Sequence, residues 1–393
     1  MTFSSLRSIA SLLVMTLLFS ACESGRNSLQ DENPNPVTKQ ALQNMLHENW
    51  KGFKKERNFS EGGIGLRLLT PKGKYFVHQD LDKSANVNTH FRGASTTKTF
   101  TAAAIMLMYQ QGLLNIDDTI ETTIPGRSEP YLPDIPYFTV PYKSAITIRQ
   151  LLQHRAGVFD DTNNPVPDNV EAPYAGQYYV DYILDNEGQD HTFTFDDLVN
   201  VVAENNLSFT PPNEEFHYSN TGYAILGKII ERVSGMSYGK YIQQTFLKPL
   251  GLNDSYFPCK GSDQILPIPY FEGFTILEGK ELETSFINVS SSVAEGNIVT
   301  TPENLSRWLH LLFSGKAGLD SKTVAMMKDV LPADKHHGYY GLGITYTEGL
   351  GYGHDGAKMG YMTTMRYDPE NDVTVLVFSS TILADDFYSQ GML

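Results

Sequence analysis

A serine three residues before a lysine, Ser95 and Lys98, is the pair of residues in this chain best spaced for covalent chemistry. The pair stands in front of an apolar run from Thr99 to Leu113, which predicts a buried helix. Residues i and i+3 of a helix share a face, so the Lys98 amine can reach back over the Ser95 hydroxyl. The helix N-terminus adds partial positive charge and free backbone N–H groups where negative charge would develop. The pair is therefore a candidate nucleophile beside its own proton acceptor.

The Ser-x-x-Lys spacing is not specific by itself. A serine in front of a helix is commonly an N-cap, and Ser237 and Lys240 repeat the same spacing later in the chain. Other residue types must therefore converge on Ser95 before it can be interpreted as a nucleophile.

Tyr218-Ser219-Asn220 is the only Tyr-x-Asn in the chain, and it directly precedes a predicted helix from Thr221 to Val233. Beside Lys98, the Tyr218 phenol is predicted to have a lowered pKa and to pass a proton between the serine and a leaving group. Asn220 is predicted to hydrogen-bond a substrate amide. The alternative is a surface tyrosine followed by an asparagine that caps the helix.

A third motif, His354-Asp355-Gly356, lies on a predicted strand near the C-terminal end. Alternation along the strand puts His354 and Gly356 on one face and Asp355 on the other. Gly356 is predicted to let a substrate backbone approach closely. The pattern of a histidine or lysine two residues before a glycine occurs at three other places in the chain, and a histidine on a strand is often structural. This motif alone is therefore not specific. The rivals are His336-His337-Gly338, Lys316-Ala317-Gly318 and Lys358-Met359-Gly360.

In this order and with these separations, the three motifs resemble the serine β-lactamase and DD-peptidase superfamily. The nearest branch holds class C β-lactamases, D-alanyl-D-alanine carboxypeptidases, and their esterase and aminopeptidase relatives. The resemblance covers nearly all of residues 41–380, and this context selects Ser95 over Ser237 and His354 over its rivals. Further matching segments are residues 146–157, 218–252, 296–305 and 340–343.

The resemblance implies a role for each motif. Ser95 would attack a carbonyl and form an acyl-enzyme, while Lys98 and Tyr218 would manage its proton, with the division between the two left open. Asn220 would position the substrate, and His354 would supply positive charge or a hydrogen bond. The oxyanion hole would consist of the backbone N–H groups of Ser95 and Ala357. Water would release the product, and no cofactor is implied.

Departures from the family bear on the substrate. β-Lactamases proper usually have Lys-Thr-Gly where this chain has His-Asp-Gly, so the hydroxyl is lost and Asp355 is acidic if it reaches the cleft. Lys358 is either a partner for a substrate carboxylate or a solvated strand lysine. We expect a serine hydrolase for D-alanyl peptides, small esters or β-lactams, most like a carboxypeptidase or esterase. The alternatives are a β-lactamase proper and a penicillin-binding sensor or scaffold without efficient turnover.

Predicted strands lie near both ends of the chain, with helices between them. The expected fold class is α/β (α+β) and β-lactamase/transpeptidase-like, an antiparallel five-stranded sheet flanked by helices plus a helical subdomain. The sheet subdomain is assigned to about 41–92 and 325–393 and the helical subdomain to about 93–324, with the site in the cleft between them. Only about thirteen residues follow Ser380, so the final helix usual in the family is expected to be short or missing.

Bulk composition excludes several classes. The chain has 393 residues, 41% hydrophobic and 19% charged, as in an ordinary soluble globular protein. A formal net charge of -15 disfavours a nucleic-acid partner. Two cysteines, Cys22 and Cys259, cannot form a disulfide framework or a zinc site. The chain also lacks His-Glu-x-x-His and a Gly-Lys-Ser/Thr phosphate loop, so no metal is expected.

The N-terminus predicts export. One arginine, an apolar core from Ile9 to Phe19 and small residues before Cys22 form a signal peptide over residues 1–21, too short to span a membrane. The position of Cys22 resembles that of a lipidated bacterial cysteine, although Phe19 departs from the usual leucine and leaves plain secretion open. Residues 22–40 are predicted to be a flexible tether. We therefore expect a membrane-anchored lipoprotein of the cell envelope, facing the periplasm or the cell surface.

Overall fold

A computed structural model describes residues 35–384 of the chain. The predicted signal peptide, the predicted lipidation site at Cys22 and the predicted tether as far as residue 34 lie outside the described residues. Within residues 35–384, the search for a helix with the length and apolarity of a membrane span finds none.

The first helix begins inside the predicted tether, which corrects its boundary. Helix α1 spans Pro36–Arg57. The Asn35 side chain accepts a hydrogen bond of 3.0 Å from the backbone N–H of Val37, and Pro36 occupies the first helical position. An asparagine N-cap followed by proline is a standard helix start, so the helix begins within the segment predicted to be a tether.

The strands fall into three sheets. In chain order they are β1 (Ile64–Thr70), β2 (Gly73–Gln79), β3 (Phe91–Ala94), β4 (Phe274–Leu277), β5 (Lys280–Glu283), β6 (Ile298–Thr300), β7 (Leu331–Pro332), β8 (Tyr339–Tyr340), β9 (Thr345–Thr347), β10 (Gly351–Lys358), β11 (Tyr361–Asp368), β12 (Val373–Ser379) and β13 (Thr381–Leu383). The main sheet has the order β2-β1-β12-β11-β10-β9-β8-β7, and two small sheets pair β13-β4-β5 and β3-β6. Every pair in the main sheet is antiparallel.

The main sheet therefore has three strands more than the five predicted. The five long strands are β2, β1, β12, β11 and β10, and the additional strands β9, β8 and β7 are two or three residues long. The sequence predicts one strand from Tyr340 to Tyr346, but the chain turns at Gly343, with φ +72°, and forms the two short strands β8 and β9 instead. A Cβ on that glycine would lie 2.3 Å from the Cβ of Ala102, so only glycine lets the turn pack against the helix behind Ser95.

Helices cover both faces of the sheet and fill the middle of the chain. They are α2 (Thr97–Gln110), α3 (Ile148–Leu152), α4 (Tyr179–Glu187), α5 (Phe195–Glu204), α6 (Asn220–Ser234), α7 (Tyr238–Ile242), α8 (Pro302–Phe313) and α9 (Ser321–Met327). The predicted helix from Thr221 to Val233 is confirmed as α6, which ends at Gly235 with φ +70°. Helix α8 packs on β11 and β12, so the predicted boundary at residue 324 separates this helix from the sheet it covers.

Two apolar clusters stabilise these layers. One lies between α1 and the outer face of the sheet and includes Leu42, Leu46 and Trp50. The larger one surrounds α2, whose residues from Thr97 to Met108 are all buried. A helix buried on every side is held rigidly by its neighbours, so residues at its N-terminus are well positioned for a site.

Candidate active site

Ser95 stands where a strand becomes a helix. Strand β3 ends at Ala94, Ser95 and Thr96 form a turn, and α2 begins at Thr97. Ser95 is the only residue of the segment 91–100 that is not fully buried. The backbone of Ala94 has φ +50°, a left-handed conformation that costs a non-glycine residue about 1 kcal/mol or more. The strained peptide thus presents one hydroxyl from an otherwise buried segment.

Gly356 brings β10 against this turn. A Cβ on Gly356 would lie 2.4 Å from the carbonyl oxygen of Gly93 and 3.1 Å from the backbone nitrogen of Ser95. The close approach predicted for a substrate backbone is therefore made by the protein's own chain. It places Ala357 and Ser95 on adjoining segments, which fits the predicted pair of oxyanion-hole N–H groups.

One edge of β10 is open beside Ser95. Strand β9 pairs with β10 only over Gly351–Gly353, and within the described chain residues 354–358 have no strand partner on that side. An unpaired strand edge offers backbone donors and acceptors to an extended ligand. The open edge and the nucleophile thus face the same cleft.

Lys98 is fully buried and lies within hydrogen-bond distance of the predicted nucleophile. Its Nζ is 3.2 Å from the Ser95 Oγ and 2.7 Å from the Asn220 Oδ1. It also lies 2.9 Å from the Glu295 carbonyl oxygen and 3.2 Å from its Oε2. Glu295 could not be predicted as a site residue, because no local motif marks a partner 197 residues from Lys98.

Burial controls the protonation of Lys98. Loss of hydration lowers the pKa of the Lys98 amine, and the Glu295 carboxylate opposes this by raising it. The amine is therefore easier to deprotonate than a surface lysine, while four nearby oxygens hold it in place. This combination suits a group that accepts the Ser95 proton.

Tyr218 is held between two histidine rings. Its ring stacks on that of His154 at a centroid distance of 4.2 Å and on that of His337 at 4.8 Å. The His337 Nδ1 lies 2.7 Å from the Asp334 Oδ1, which fixes the outer ring of the stack. His337 lies in His336-His337-Gly338, one of the alternatives to the third motif, and was not predicted to be part of the site. Asp334, three residues before it, is the one feature of the sequence that could have indicated a fixed histidine ring.

The pKa of Tyr218 moves in the direction opposite to that predicted. Burial raises it well above that of a free tyrosine, and a hydrogen bond with Ser95 offsets only part of this increase. The Lys98 Nζ lies 4.8 Å from the ring centroid, over the ring rather than beside the hydroxyl. Tyr218 is therefore a neutral phenol, a proton donor, in the free protein.

Asn220 is the first residue of α6 and is not its cap. The cap is Ser219, whose Oγ accepts a 3.0 Å hydrogen bond from the Gly222 N–H. The Asn220 Oδ1 accepts from Lys98, and its Nδ2 donates to the Thr162 Oγ1 at 2.8 Å. The amide thus orients Lys98 in the free protein, in addition to the substrate contact predicted for it.

Acidic groups lie beneath the same helix end. Asp160 accepts hydrogen bonds from Thr162 and Asn163, and burial raises its pKa. Burial raises the pKa of Asp161 to about 8, although a hydrogen bond from Thr221 opposes the shift. An acid that stays protonated near neutral pH adds no charge beside Lys98, which limits the electrostatic cost of the buried site.

His354 contributes a hydrogen bond rather than a charge. Burial and the Lys98 charge lower its pKa well below that of a free histidine, so the ring is neutral. Its Nδ1 lies 2.5 Å from the Asp355 carbonyl oxygen and its Nε2 2.8 Å from the Tyr340 hydroxyl. Tyr340 in turn packs edge-on against Tyr218, with centroids 6.3 Å apart.

Asp355 points to the other face of β10, as alternation predicts. Arg366 binds its two carboxylate oxygens at 2.8 and 2.7 Å, and both side chains are buried. The acid is neutralised within the sheet and brings no free negative charge to the cleft.

The rival Ser-x-x-Lys motif is not part of this site. Ser237 and Lys240 are both exposed at the start of α7. Between residues 35 and 384, no group of three or more His, Cys, Asp or Glu side chains is arranged to hold a metal ion. The described residues thus bring Ser95, Lys98, Tyr218, Asn220, His354, Gly356 and Ala357 to one cleft.

This fold and site agree with the comparison to protein families. The Beta-lactamase family matches residues 68–386, so the chain belongs to that family. It is a β-lactamase-fold protein of the serine hydrolase superfamily that also contains penicillin-binding proteins.

Curated relatives resemble part of the chain. Penicillin-binding protein 4* of Bacillus subtilis is 32% identical over 170 residues, which are 43% of this chain and 30% of that protein. Protein flp of Staphylococcus aureus is 30% identical over 214 residues, 51% of this chain and 36% of that protein. The chain thus matches about a third of the length of these relatives.

Solved structures resemble nearly the whole chain. A D-stereospecific amidohydrolase from Streptomyces sp. has a TM-score of 0.70 at 21% identity, covering 88% of this chain and 95% of that one. The D-amino acid amidase of Ochrobactrum anthropi SV3, complexed with L-phenylalanine amide, has a TM-score of 0.68 at 23% identity, covering 88% of this chain and 92% of that one. A penicillin-binding protein from Bacillus halodurans has a TM-score of 0.62 at 21% identity, covering 86% of this chain and 94% of that one. At these identities the likeness establishes the fold.

Proposed function

We propose that the protein hydrolyses amide bonds, those of D-alanyl peptides first and small esters next, through an acyl-enzyme on Ser95. The observation that carries the proposal is the position of the Ser95 Oγ, 3.2 Å from the Lys98 Nζ and hydrogen-bonded to Tyr218, beside an open strand edge. The D-stereospecific amidohydrolase and the D-amino acid amidase among the structural neighbours support an amide of a D-residue.

Acylation follows from the protonation states. The Ser95 Oγ attacks the substrate carbonyl carbon, and its proton passes to the neutral Lys98 amine. The carbonyl oxygen becomes an oxyanion bound by the N–H groups of Ser95 and Ala357. When the C–N bond breaks, Tyr218 donates its proton to the leaving nitrogen and recovers one from Lys98. The products of this half-reaction are an ester on Ser95 and a free amine.

Deacylation reverses these transfers with water as the nucleophile. Lys98, neutral again, accepts a proton from the attacking water by way of Tyr218, and the Ser95 oxygen leaves with a proton. The product is a carboxylic acid. Because the same groups serve both halves, loss of Lys98 is expected to slow each of them.

A β-lactamase proper and a penicillin-binding sensor are the competing functions. A sensor would form the same ester and hold it without release. At the third motif His354 is neutral and Asp355 is paired with Arg366, so no hydroxyl stands where β-lactamases have threonine. This favours peptides and esters over β-lactams as substrates.

One experiment separates these functions. The mature protein is incubated with a fluorescent penicillin, a D-Ala-D-Ala peptide and a short-chain p-nitrophenyl ester, and adducts and turnover are followed by intact mass. We expect adducts that form and decay, and none in Ser95→Ala. Ser237→Ala, from the rival motif, is the matched control and should behave like the wild type.

Adducts that persist in Ser95→Ala would disprove the nucleophile assignment. Adducts that form on Ser95 and never decay would favour the sensor. Rapid turnover of penicillin with none of the peptide or ester would favour a β-lactamase.

We also propose that the protein is exported and anchored in the cell envelope by a lipid on Cys22. The support is the signal-peptide pattern of residues 1–21 with the cysteine directly after Ser20-Ala21. Cys22→Ala is expected to move the protein from the membrane to the soluble fraction, and Cys259→Ala is expected not to. An unchanged membrane fraction for Cys22→Ala would exclude the lipid anchor.

A further inference from the structure

Lys358 is a second lysine at the cleft, on the same face of β10 as the third motif. It is the last residue of β10, and alternation places its side chain with those of His354 and Gly356. The side chain is half-buried, and its Nζ donates a hydrogen bond of 2.5 Å to the Ser292 Oγ. The interpretation as a solvated strand lysine therefore fails, because the amine points inward to a buried serine.

Ser292 connects this amine to the nucleophile. A Cβ built on Gly296 would lie 3.6 Å from the Ser292 Cβ and 3.8 Å from the Ala94 carbonyl carbon. Ser292 and the residue before Ser95 thus border the same small space. Burial lowers the pKa of the Lys358 amine, and the nearby charge of Lys98 lowers it further.

The charge on Lys358 lacks a close counterion. In the described part of the chain, no carboxylate lies within 4.0 Å of its Nζ. Glu295 is paired with Lys98, and Asp181 on α4 acts on Lys358 only from a distance. Arg92 adds a further positive charge nearby. An anion that enters the cleft beside Lys358 would therefore meet an ammonium group with no directly paired carboxylate among the described residues.

The position along β10 identifies which part of a substrate would meet Lys358. Tyr218, which protonates the leaving group, lies at the His354 end of the open edge, with the two rings 6.4 Å apart. Lys358 lies at the opposite end, one residue beyond Ala357 of the oxyanion hole. A substrate bound along the edge would therefore place its leaving group toward His354 and its acyl portion toward Lys358.

We propose that Lys358 and Ser292 form a subsite for a carboxylate on the acyl portion of the substrate. The ammonium and the hydroxyl supply two donors to one anionic group, which is a charge-assisted arrangement. This inference rests on the proposed acyl-serine function, and it narrows the substrate class to acyl groups that carry a negative charge.

The test separates binding from turnover. In the Ser95→Ala background, calorimetry measures the affinity for N-succinyl-D-alaninamide and for its succinyl methyl ester, which lacks the charge. We expect the anionic ligand to bind about tenfold more tightly. Adding Lys358→Met should remove this preference, whereas Lys358→Arg should keep most of it. Lys322→Met, at an exposed lysine on α9, removes one charge elsewhere and is the matched control.

Equal affinities in the Ser95→Ala protein, or a preference that survives Lys358→Met, would overturn the subsite. With Ser95 intact, the matching p-nitroanilides report turnover. Failure of both anilides to react or to form an adduct would count against the proposed hydrolase, while the calorimetry would still decide whether Lys358 binds an anion.

Discussion

Lys98 and Lys358 are two lysines of one cleft in opposite circumstances. Lys98 is fully buried, and four oxygen atoms surround its amine, one of them from a carboxylate. Lys358 is half-buried, and its hydrogen-bond partner is one hydroxyl. The difference teaches that residue type alone does not assign a role. The Lys98 amine already has hydrogen-bond acceptors on the protein and acts on the neighbouring Ser95. Within the described part of the chain, the Lys358 amine has one such acceptor and can bind a ligand.

Replacing each lysine by methionine is the strongest test of this contrast. Lys98→Met removes the acceptor of the Ser95 proton and should lower the rate of acylation by about 10²- to 10⁴-fold, the usual contribution of a positioned general base. Intact mass after rapid mixing with a p-nitrophenyl ester measures this rate. Lys240→Met, from the exposed rival motif, is the control and should acylate at the wild-type rate.

A Lys98→Met protein that acylates as fast as the wild type would assign the proton to another base and remove the contrast. Unchanged thermal stability of the variant would show that the fold tolerates the change. Because Lys98→Met also leaves the Glu295 carboxylate unpaired, the double variant with Glu295→Gln checks that a slow rate is not the result of misfolding.

The Lys98–Glu295 pair predicts how the rate depends on pH. Glu295 raises the pKa of Lys98, and burial lowers it. In Glu295→Gln the raising influence is gone, so the Lys98 amine loses its proton at lower pH. The ascending limb of the kcat/KM profile should therefore move to lower pH, and the change in rate at pH 7 should be about tenfold or less. Glu370→Gln, at an exposed glutamate in the turn after β11, is the control.

An ascending limb that stays in place in Glu295→Gln would mean that a group other than Lys98 controls it. A limb that moves to higher pH would mean that the carboxylate itself is the base. Either result would contradict the interpretation that Lys98 is the base and that burial and Glu295 together set its pKa.

The smallest effect is expected at the outer ring of the Tyr218 stack. His337→Ala removes a stacked ring, and stacking is worth about 0.5–1.5 kcal/mol. If that energy positions the phenol, kcat should fall by about two- to tenfold with KM unchanged. His337→Phe keeps a ring and should restore kcat, whereas an equal loss in both variants would indicate that the imidazole or its Asp334 contact is needed.

The sequence was most informative where residues act within one element. The i, i+3 spacing of Ser95 and Lys98, the Tyr-x-Asn before α6 and the alternation along β10 are local relations, and each matches the observed geometry. The order of strands and helices also predicted the layers, since hydrophobic periodicity reports burial directly.

Side-chain contacts between segments far apart in the chain could not be predicted from local sequence patterns. Glu295, His337 and the Asp355–Arg366 pair take their roles from side chains on other elements, and nothing in their neighbours in sequence specifies those contacts. The same reason explains the reversed pKa of Tyr218, because the prediction included the nearby lysine and omitted the burial that outweighs it. The segment that holds β8 and β9 was predicted as one strand, and the two residues of β7 carry no periodicity from which a strand could be predicted.

The left-handed backbone of Ala94 has counterparts at His154 and Ala294, with φ +56° and +70°. Ala94 precedes Ser95, His154 stacks on Tyr218 and Ala294 precedes Glu295, so each of these three left-handed residues adjoins a working group of the cleft. At Ala94 and Ala294, where the side chain is a single buried methyl group, glycine would relieve the strain. It would also loosen the groups that the strain holds in place. Selection for thermal resistance alone is therefore expected to erode activity at Ala94 and Ala294 first, whereas glycine at His154 would also remove a buried stacked ring.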